Sequence, residues 1–472
     1  MASGLMIGSR RVLVFLPIFL ASTAIRINAA GLTDDPSASA GVCPPAAVDL
    51  VITGEVFGTG ETTNCLASST ITVGPTVTFG DGSDTLLLAP STSFLSEVQV
   101  DSGGTLTIGG FMTAPVPKTG QTVSESPGDD GDLEIGVAWP SPRFTINGDG
   151  TVTDGLTGLV WMQDPECGTL FDFPDTSWES ALTAANGMAN GQCGLSDGST
   201  PGSWRIPNIS EFLSLGHWGF VGPALPNTAG SGQWVDGAPF TNIHPLDGPP
   251  STYWTSSSYA ASADLVWCTD LHSGLPYLYD KTHAANAQYV WMVRGGAAGS
   301  PAPLPVTGQG NSLHAGDDGA LRRGVPWPSP RFIDLLDGTV ADILTGLIWL
   351  EDAGCSGLFT NWSGALAAAA NLADGACGLT DGTVAGDWRL PNILELLSLV
   401  HYGHRSMALP NAAGTGQWTE GDPFTNVKSG SYWSSTTYEG DDRVWSLPFN
   451  TPGPARYAKT TKLYVWPVRG GQ

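Results

Sequence analysis

The chain has 472 residues, room for roughly three domains of about 150 residues each. Its 44 acidic and 19 basic side chains give a net charge of −25, a surface that repels phosphate backbones and anionic lipid and so excludes nucleic acid as a partner. A hydrophobic content of 41% excludes disorder, while Gly 62 and Pro 35 point to a loop-rich, mainly β chain.

Residues 1–30 read as a signal peptide. Arg10 and Arg11 form a positive start, Val12 to Ala21 an apolar core, and Ala29 and Ala30 a small-residue cleavage site. A core of about ten residues is too short for a span that needs about 20, so no membrane insertion is expected. Ser9-Arg10-Arg11 also fits a twin-arginine signal, but the very apolar core favours ordinary secretion. The segment holds Arg10, Arg11 and Arg26 and no acid, so the exported chain would carry 16 − 44 = −28. The expected location is periplasmic, cell-surface or extracellular, where cysteines oxidise. Three local pairs are predicted disulfides: Cys43 with Cys65, Cys167 with Cys193, and Cys355 with Cys377. Cys268 is left over.

Residues 31–117 contain no tryptophan and consist of short Thr/Val/Ile/Leu runs between Gly, Asp, Pro and Ser. Such runs predict a small all-β segment, a sandwich or a short solenoid, with the solenoid preferred. The rest is one unit written twice, 118–296 and 307–472, joined by an uncharged linker at 297–306. Trp139-Pro-Ser-Pro-Arg-Phe144 recurs as Trp327-Pro-Ser-Pro-Arg-Phe332, and Asp149-Gly-Thr-Val152 as Asp337-Gly-Thr-Val340.

In each copy Asp-Gly turns predict a three-stranded meander, in the first over Arg143–Ile146, Thr151–Thr153 and Leu159–Met162. Trp178, Ala181, Leu182 and Ala185 mark one face of a helix, with Thr176 and Glu179 as its capping box. The second copy repeats that face as Trp362, Ala365, Leu366 and Ala369. A second helix starts at Asn208 with Glu211, and at Asn392 with Glu395. A long, helix-poor excursion and terminal strands complete an α+β domain.

The ordered set DGTV-x-D-x-x-TGL-x-W, Trp-x-x-Ala-Leu, W-R-[IL]-P, Tyr-Trp-[ST]-Ser and a closing Val-Arg-Gly-Gly occurs twice, over about 340 residues. It resembles the family named for the C-terminal domain of the Legionella collagen-like adhesin, formerly an unknown-function domain. The resemblance implies tandem C-type-lectin-like folds, shared with formylglycine-generating enzymes, in extracellular proteins that adhere to surfaces or glycans. The named member binds sulfated polysaccharide as a trimer. This chain has no collagen-like stalk, and residues 119–296 carry 4 basic and 19 acidic side chains, a net of −15. Sulfated polyanions are therefore not the expected partners, and the oligomeric state is left open. Residues 307–472, with 11 basic and 16 acidic side chains, are less hostile to anions.

The four cations Arg143, Arg205, Lys281 and Arg294 each have a counterpart in the second copy: Arg331, Arg389, Lys459 and Arg469. Matched framework positions predict structural ion pairs, Arg205 with Glu211 among them. Asn147, Asp149 and Asp154 could offer oxygens to calcium, although an Asp-Gly turn explains them without metal. No other cofactor is expected. The adjacent carboxylates Asp129-Asp130 and Asp317-Asp318 repel each other, so either a cation or solvent must relieve them, and solvent exposure is the expected answer. Cys268, Asp270 and His272 alternate on one strand face, about 6.6–7 Å apart at i and i+2, too far for a nucleophile and its base. His217 and His401 suit helix C-termini as cations or capping donors.

Most of the 17 tryptophans belong to the core. Trp234 and Trp418, flanked by Asn227, Gln233, Asn242 and by Asn411, Gln417, Asn426, are the candidate ligand contacts, because indole stacks on sugar rings while amides hydrogen-bond hydroxyls. The expected function is non-enzymatic: an exported, adhesin-like protein binding a glycan or a surface protein through two sets of long loops. The alternative is a structural or filament-associated surface protein without a specific ligand.

Overall fold

In a computed structural model, residues 113–166, 177–244, 252–282, 288–296, 299–355 and 359–471 are described in full, together with the backbone of nine strands between residues 25 and 109. The rest of the expected signal peptide, Cys43 and Cys167, and the side chain of Cys65, lie outside the described residues, as does Thr176. Two compact units emerge, Met1–Thr113 and Ala114–Gln472.

In the first unit, Thr62–Val73 pairs in parallel with Ala47–Ile52 and Asp84–Leu88, and Asp84–Leu88 pairs in parallel with Thr105–Gly109. A second parallel set joins Val56–Phe57, Thr78–Phe79 and Gln99–Val100. Partners Thr62, Asp84 and Thr105 are 22 and 21 residues apart. Parallel rungs at a constant interval are the pattern of a solenoid; the hairpins of a sandwich would pair antiparallel. Among the described strands of this unit only Ile25–Asn28 pairs antiparallel, against Thr105–Gly109.

In the second unit sheets dominate and helices are few and short. Each copy has an antiparallel four-stranded sheet in which the predicted meander accepts the terminal strand. In the first the order is Phe144–Ile146, Thr151–Asp154, Leu159–Met162, Val293–Gly295. The second repeats it with Phe332–Asp334, Thr339–Asp342, Leu347–Leu350 and Val468–Gly470. The turn is local chemistry: Asp149 Oδ1 accepts from both the backbone N–H and the hydroxyl of Thr151, as Asp337 does from Thr339. A second sheet carries Thr252–Ser258, Leu265–Asp270 and Pro276–Asp280, matched by Ser431–Tyr438, Arg443–Pro448 and Ala455–Ala458.

The helices Trp178–Gly187 and Trp362–Ala370 bury the expected face. Their N-caps are Ser177 and Asn361, each accepting from the N–H three residues on, so the cap falls one residue after the expected Thr176. Ile209–Leu215 and Ile393–Ser398 have the predicted capping boxes, Asn208 with Glu211 and Asn392 with Glu395. Indole N–H groups tie the layers: Trp291 to the Met162 carbonyl at 2.9 Å, and Trp178 to that of Thr255 at 2.8 Å.

The recurring motifs meet at a buried ion pair. Arg143 Nε and Nη2 hold Asp154 at 3.2 and 3.0 Å, both side chains fully excluded from water, and Nη2 also reaches the Ser214 carbonyl at 2.6 Å. Its guanidinium lies over Trp139 and Phe144, 4.2 and 4.8 Å from the ring centroids. Arg331, Asp342 and the Ser398 carbonyl repeat the arrangement. The expected Arg205–Glu211 pair is bidentate at 2.5 and 2.6 Å, and Arg389–Glu395 matches it. The Cys355–Cys377 disulfide is formed, and Cys193 is disulfide-bonded.

The copies are locked together by arms that precede each meander. The first arm, 114–137, places Asp130 against the second copy: Oδ2 accepts from Thr436 at 2.7 Å and from Thr119, on the same arm, at 2.7 Å. Gln121 pairs with Thr437 through both backbone groups. The second arm returns the contact. Asp318 Oδ2 accepts from Ser257 at 2.6 Å and Thr307 at 2.7 Å, and Gln309 bonds the Ser258 carbonyl. The second arm, 302–325, takes in part of the stretch expected as a linker, since the Ala302 N–H donates to the Leu156 carbonyl at 2.9 Å and Ala302 is buried. Trp218–Trp445 and Tyr402–Trp267 stack edge-on across the junction.

The expectation that the paired carboxylates face solvent is therefore overturned. Asp129, Asp130, Asp317 and Asp318 are all buried. Asp129 caps its helix by accepting from Glu125, Ser126 and Asp132 N–H groups, and Asp130 turns the other way to two hydroxyls. Gly131 follows because a Cβ there would stand 2.1 Å from the Val123 carbonyl oxygen.

Candidate functional site

The excursions between the second helix and the second sheet fold onto themselves. In the first copy the Trp234 N–H bonds the Leu225 carbonyl, and its indole N–H donates to the Phe240 carbonyl at 3.1 Å. Trp234 is 4% exposed, so its ring offers no face to a sugar, contrary to the expected stacking role. Trp418 repeats the bond to the Phe424 carbonyl at 3.0 Å and is half-buried.

The amides hold the loop. Gln233 Nε2 donates to the carbonyls of Val221 and Pro223, each at 2.9 Å, and Gln417 to those of Arg405 and Met407. Asn227 and Asn411 accept from the N–H groups four residues on. Asn242 and Asn426 take left-handed backbone, with φ of 52° and 55°, which asparagine tolerates better than most residues. Their side-chain N–H groups reach Asp164 at 2.8 Å and Asp352 at 3.0 Å. The four predicted residues of each copy thus lie together in its loop, but as its internal frame.

What the frame presents outward is a polar edge. Gln233, Val235, Asp236 and Asn242 are exposed in the first copy, Val235 at 62%. Gln417, Thr419, Glu420 and Asn426 are exposed in the second. Each edge carries one carboxylate, Asp236 or Glu420, and side-chain amides whose N–H groups are already engaged inside the frame, so the edges suit a ligand rich in hydrogen-bond donors. The sequence signal for Val235 was absent: a lone exposed apolar residue beside a buried tryptophan has no distinguishing pattern.

The calcium candidates do not converge. Asp154 is engaged with Arg143, the Leu156 N–H and the Thr157 hydroxyl. Asn147 donates to Thr151 and Thr153, and Asp149 accepts from Thr151. Asp149 and Asp154 flank opposite ends of the strand Thr151–Asp154, about 10 Å long at 3.3 Å per residue. Among the described residues no group of three His, Cys, Asp or Glu side chains could hold a metal ion.

Among the described residues no reactive set assembles around Cys268. The thiol is fully buried, and burial pushes its pKa well up, the wrong direction for a nucleophile. Asp270 instead accepts from the His272 N–H and from Ser273. His217 and His401 are buried beside Arg143 and Arg331; burial first, then Arg143 for His217 and His404 and Arg331 for His401, lowers both to about 3. They are neutral acceptors of the Gly219 and Gly403 N–H groups, not the expected cations.

The structurally committed site that sequence reasoning missed is the arm junction. Burial raises Asp130 to about 7 and Asp318 to about 6, against the lowering by their hydroxyl donors. The available signal was the faithful recurrence of Thr-Gly-Gln and Gly-Asp-Asp-Gly upstream of both meanders, at Thr119 and Gly128 and at Thr307 and Gly316.

A family model described as the Lcl C-terminal domain matches residues 150–294 and again residues 338–469. Both matches begin inside the first meander turn and end in the terminal strand, so the arms fall outside them. No curated protein is matched by this sequence.

Proposed function

The chain belongs to the Lcl C-terminal domain family, twice over, and on that premise we propose that it is an exported, adhesin-like binding protein of the cell surface or extracellular space. Its two copies are C-type-lectin-like and recognise a glycan or a surface protein through the outward edges of their long loops. It carries out no bond-making.

The observation that carries this reading is the construction of the loops. Their indoles and amides are turned inward, which fixes the backbone and leaves an exposed edge around Val235 and Asn242 already ordered before any ligand arrives. Preorganisation lowers the entropy cost of binding. Two such edges on one rigid unit double weak contacts, because the second contact forms at an effective concentration of roughly mM. The acceptor-rich edges favour hydroxyl-rich or basic ligands, and the net charge of −15 over residues 119–296 disfavours sulfated polyanions. Among the described residues no helix is long and apolar enough to cross a membrane, which suits a surface-held chain.

The parallel coils of the first unit favour a second reading, in which that unit assembles end to end and the copies decorate a filament. A glycan and surface-protein array tests both. Wild-type signal that falls when Val235→Asp and Asn242→Ala are combined with Glu420→Ala and Asn426→Ala supports loop recognition. Silence on every array, with concentration-dependent fibre formation by light scattering, supports the filament. Signal unaffected by calcium chelation is expected in the first case.

A further inference from the structure

Cations are scarce in this chain and most are neutralised. Arg143, Arg205, Arg294, Arg331, Arg389, Arg443 and Arg469 each sit within ion-pair distance of a carboxylate. Arg323 is different. It is exposed on the second arm, its guanidinium has no acceptor among the described residues, and only its backbone carbonyl is used, by Asn208 Nδ2 at 3.4 Å.

Arg323 lines an open cavity of about 480 Å³ formed where the second arm lies on the first copy. Asn186, Ser203, Arg205 and Arg294 line the same space, with the backbone of Gly295 and Gly296. Arg205 is committed to Glu211, and Arg294 leans 5.1 Å from the Trp204 ring with Asp197 at 3.2 Å. One positive charge in the cavity is therefore uncompensated. The volume falls within the roughly 300–1,000 Å³ of small-molecule sites.

The duplication provides an internal comparison. At the matching places of the second copy, Asn186 becomes Ala370, Ser203 becomes Asp387 and Arg323 becomes Ile135. Ile135 Cγ2 stands 3.3 Å from the position a Cβ would take on Gly471, so an apolar side chain lies where the first copy's cavity has a guanidinium. The remaining framework, Trp204, Arg205 and Arg294, is kept as Trp388, Arg389 and Arg469. The exchange of Ile for Arg and of Asp for Ser makes the first site more positive by 1 + 1 = 2 charges and adds an amide and a hydroxyl. Neither change is required by the fold, because the second copy folds without them.

We propose that this cavity binds a small hydroxylated monocarboxylate, of the size and chemistry of a hexuronic acid. Its carboxylate meets the Arg323 fork, which matches that geometry in a bidentate way. Its hydroxyls meet Asn186 and Ser203. A single uncompensated guanidinium sets the ligand charge at one, and the acidic surroundings turn away polyanions. The site stands apart from the loop edges and does not depend on the loop reading.

The test is calorimetric titration of the full exported chain with galacturonate, galactose and inorganic sulfate. Saturable binding of galacturonate, weaker for galactose and for sulfate, is expected. Arg323→Ile, which copies the second site, should weaken it by roughly tenfold or more, the loss of a charge-assisted pair. Its melting temperature should not move, since the guanidinium has no partner to lose. Ser203→Asp should weaken binding by adding the second copy's carboxylate, and Arg323→Lys should restore part of it. Absence of saturable galacturonate binding at millimolar concentration overturns the proposal. So does galactose or sulfate binding as tightly, or Arg323→Ile binding like the wild type.

Discussion

Thr436→Val isolates the contact that fastens the first arm to the second copy. The substitution keeps the shape and removes one hydroxyl, which donates to Asp130 at 2.7 Å and accepts the Ile393 N–H at 3.0 Å. Two buried groups lose a partner together. Thr119 still donates to Asp130, whereas the Ile393 N–H is left alone; at about 1–3 kcal/mol for each group, the loss should be about 2–6 kcal/mol, with the upper part of the range when Asp130 is ionised. The pH dependence has a definite sign. Burial raises the folded-state pKa of Asp130 to about 7 from an ordinary 3.8, with Thr436 and Thr119 opposing, Glu395 adding to the rise and Arg389 subtracting from it. A raised carboxylate pKa means its contribution is fully present below about 4 and declines as pH climbs through about 7. Removing Thr436 raises that pKa further. Below about 6 the wild type and the variant are both protonated at Asp130, and their difference is constant; above about 7 it widens. Differential scanning calorimetry of the full chain at pH 6 and pH 8.5 measures this. At about 2 °C per kcal/mol for a unit this large, the second-unit transition should drop by roughly 4–12 °C, more at pH 8.5. A shift under about 1 °C, or a larger one at pH 6, would refute the reasoning.

Three further outcomes follow from the same structure. Asp154→Asn leaves the Arg143 guanidinium buried without its counter-charge, and urea unfolding should show a loss of about 3–5 kcal/mol; a loss below about 1 would show that water reaches Arg143. Trp234→Ala empties a core position, so about 3–5 kcal/mol of stability should disappear along with binding, whereas lost array binding with unchanged melting would restore the indole as a ligand contact. Cys355→Ser opens a loop with a sequence separation of 22 and should cost about 3 kcal/mol under non-reducing conditions. Equal midpoints for variant and wild type would contradict that figure.

The parts legible in the sequence were those encoded within a few residues. The Asp149 turn, the Asn208 and Asn392 capping boxes and the Trp178 helix face each depend on neighbours no more than seven positions away, and each stands where spacing placed it. The Arg205–Glu211 pair spans six residues and was equally accessible. The arms were not, because the hydroxyl that makes burial of Asp130 tolerable lies 306 residues away. Without that partner, two adjacent acids between glycines read as solvated. His217 was misjudged for the same kind of reason: the helix end suggested a cation, while burial and then Arg143, from a distant segment, hold the ring neutral. In the loops, composition located the right segments but not the facing of their side chains. Whether an indole beside Gly and Gln points in or out depends on the Phe240 carbonyl it meets, which spacing alone does not encode.

The central claim is that an arm-locked pair of copies holds two ordered loop edges outward for recognition. Surface plasmon resonance against the best array ligand tests it most directly, comparing wild type, each single-copy edge variant and the double-edge variant. Each single variant should dissociate markedly faster through loss of bivalency, and the double should not bind, while all four keep a cooperative second-unit melting transition. Binding that survives the double-edge variant at wild-type strength would contradict the account.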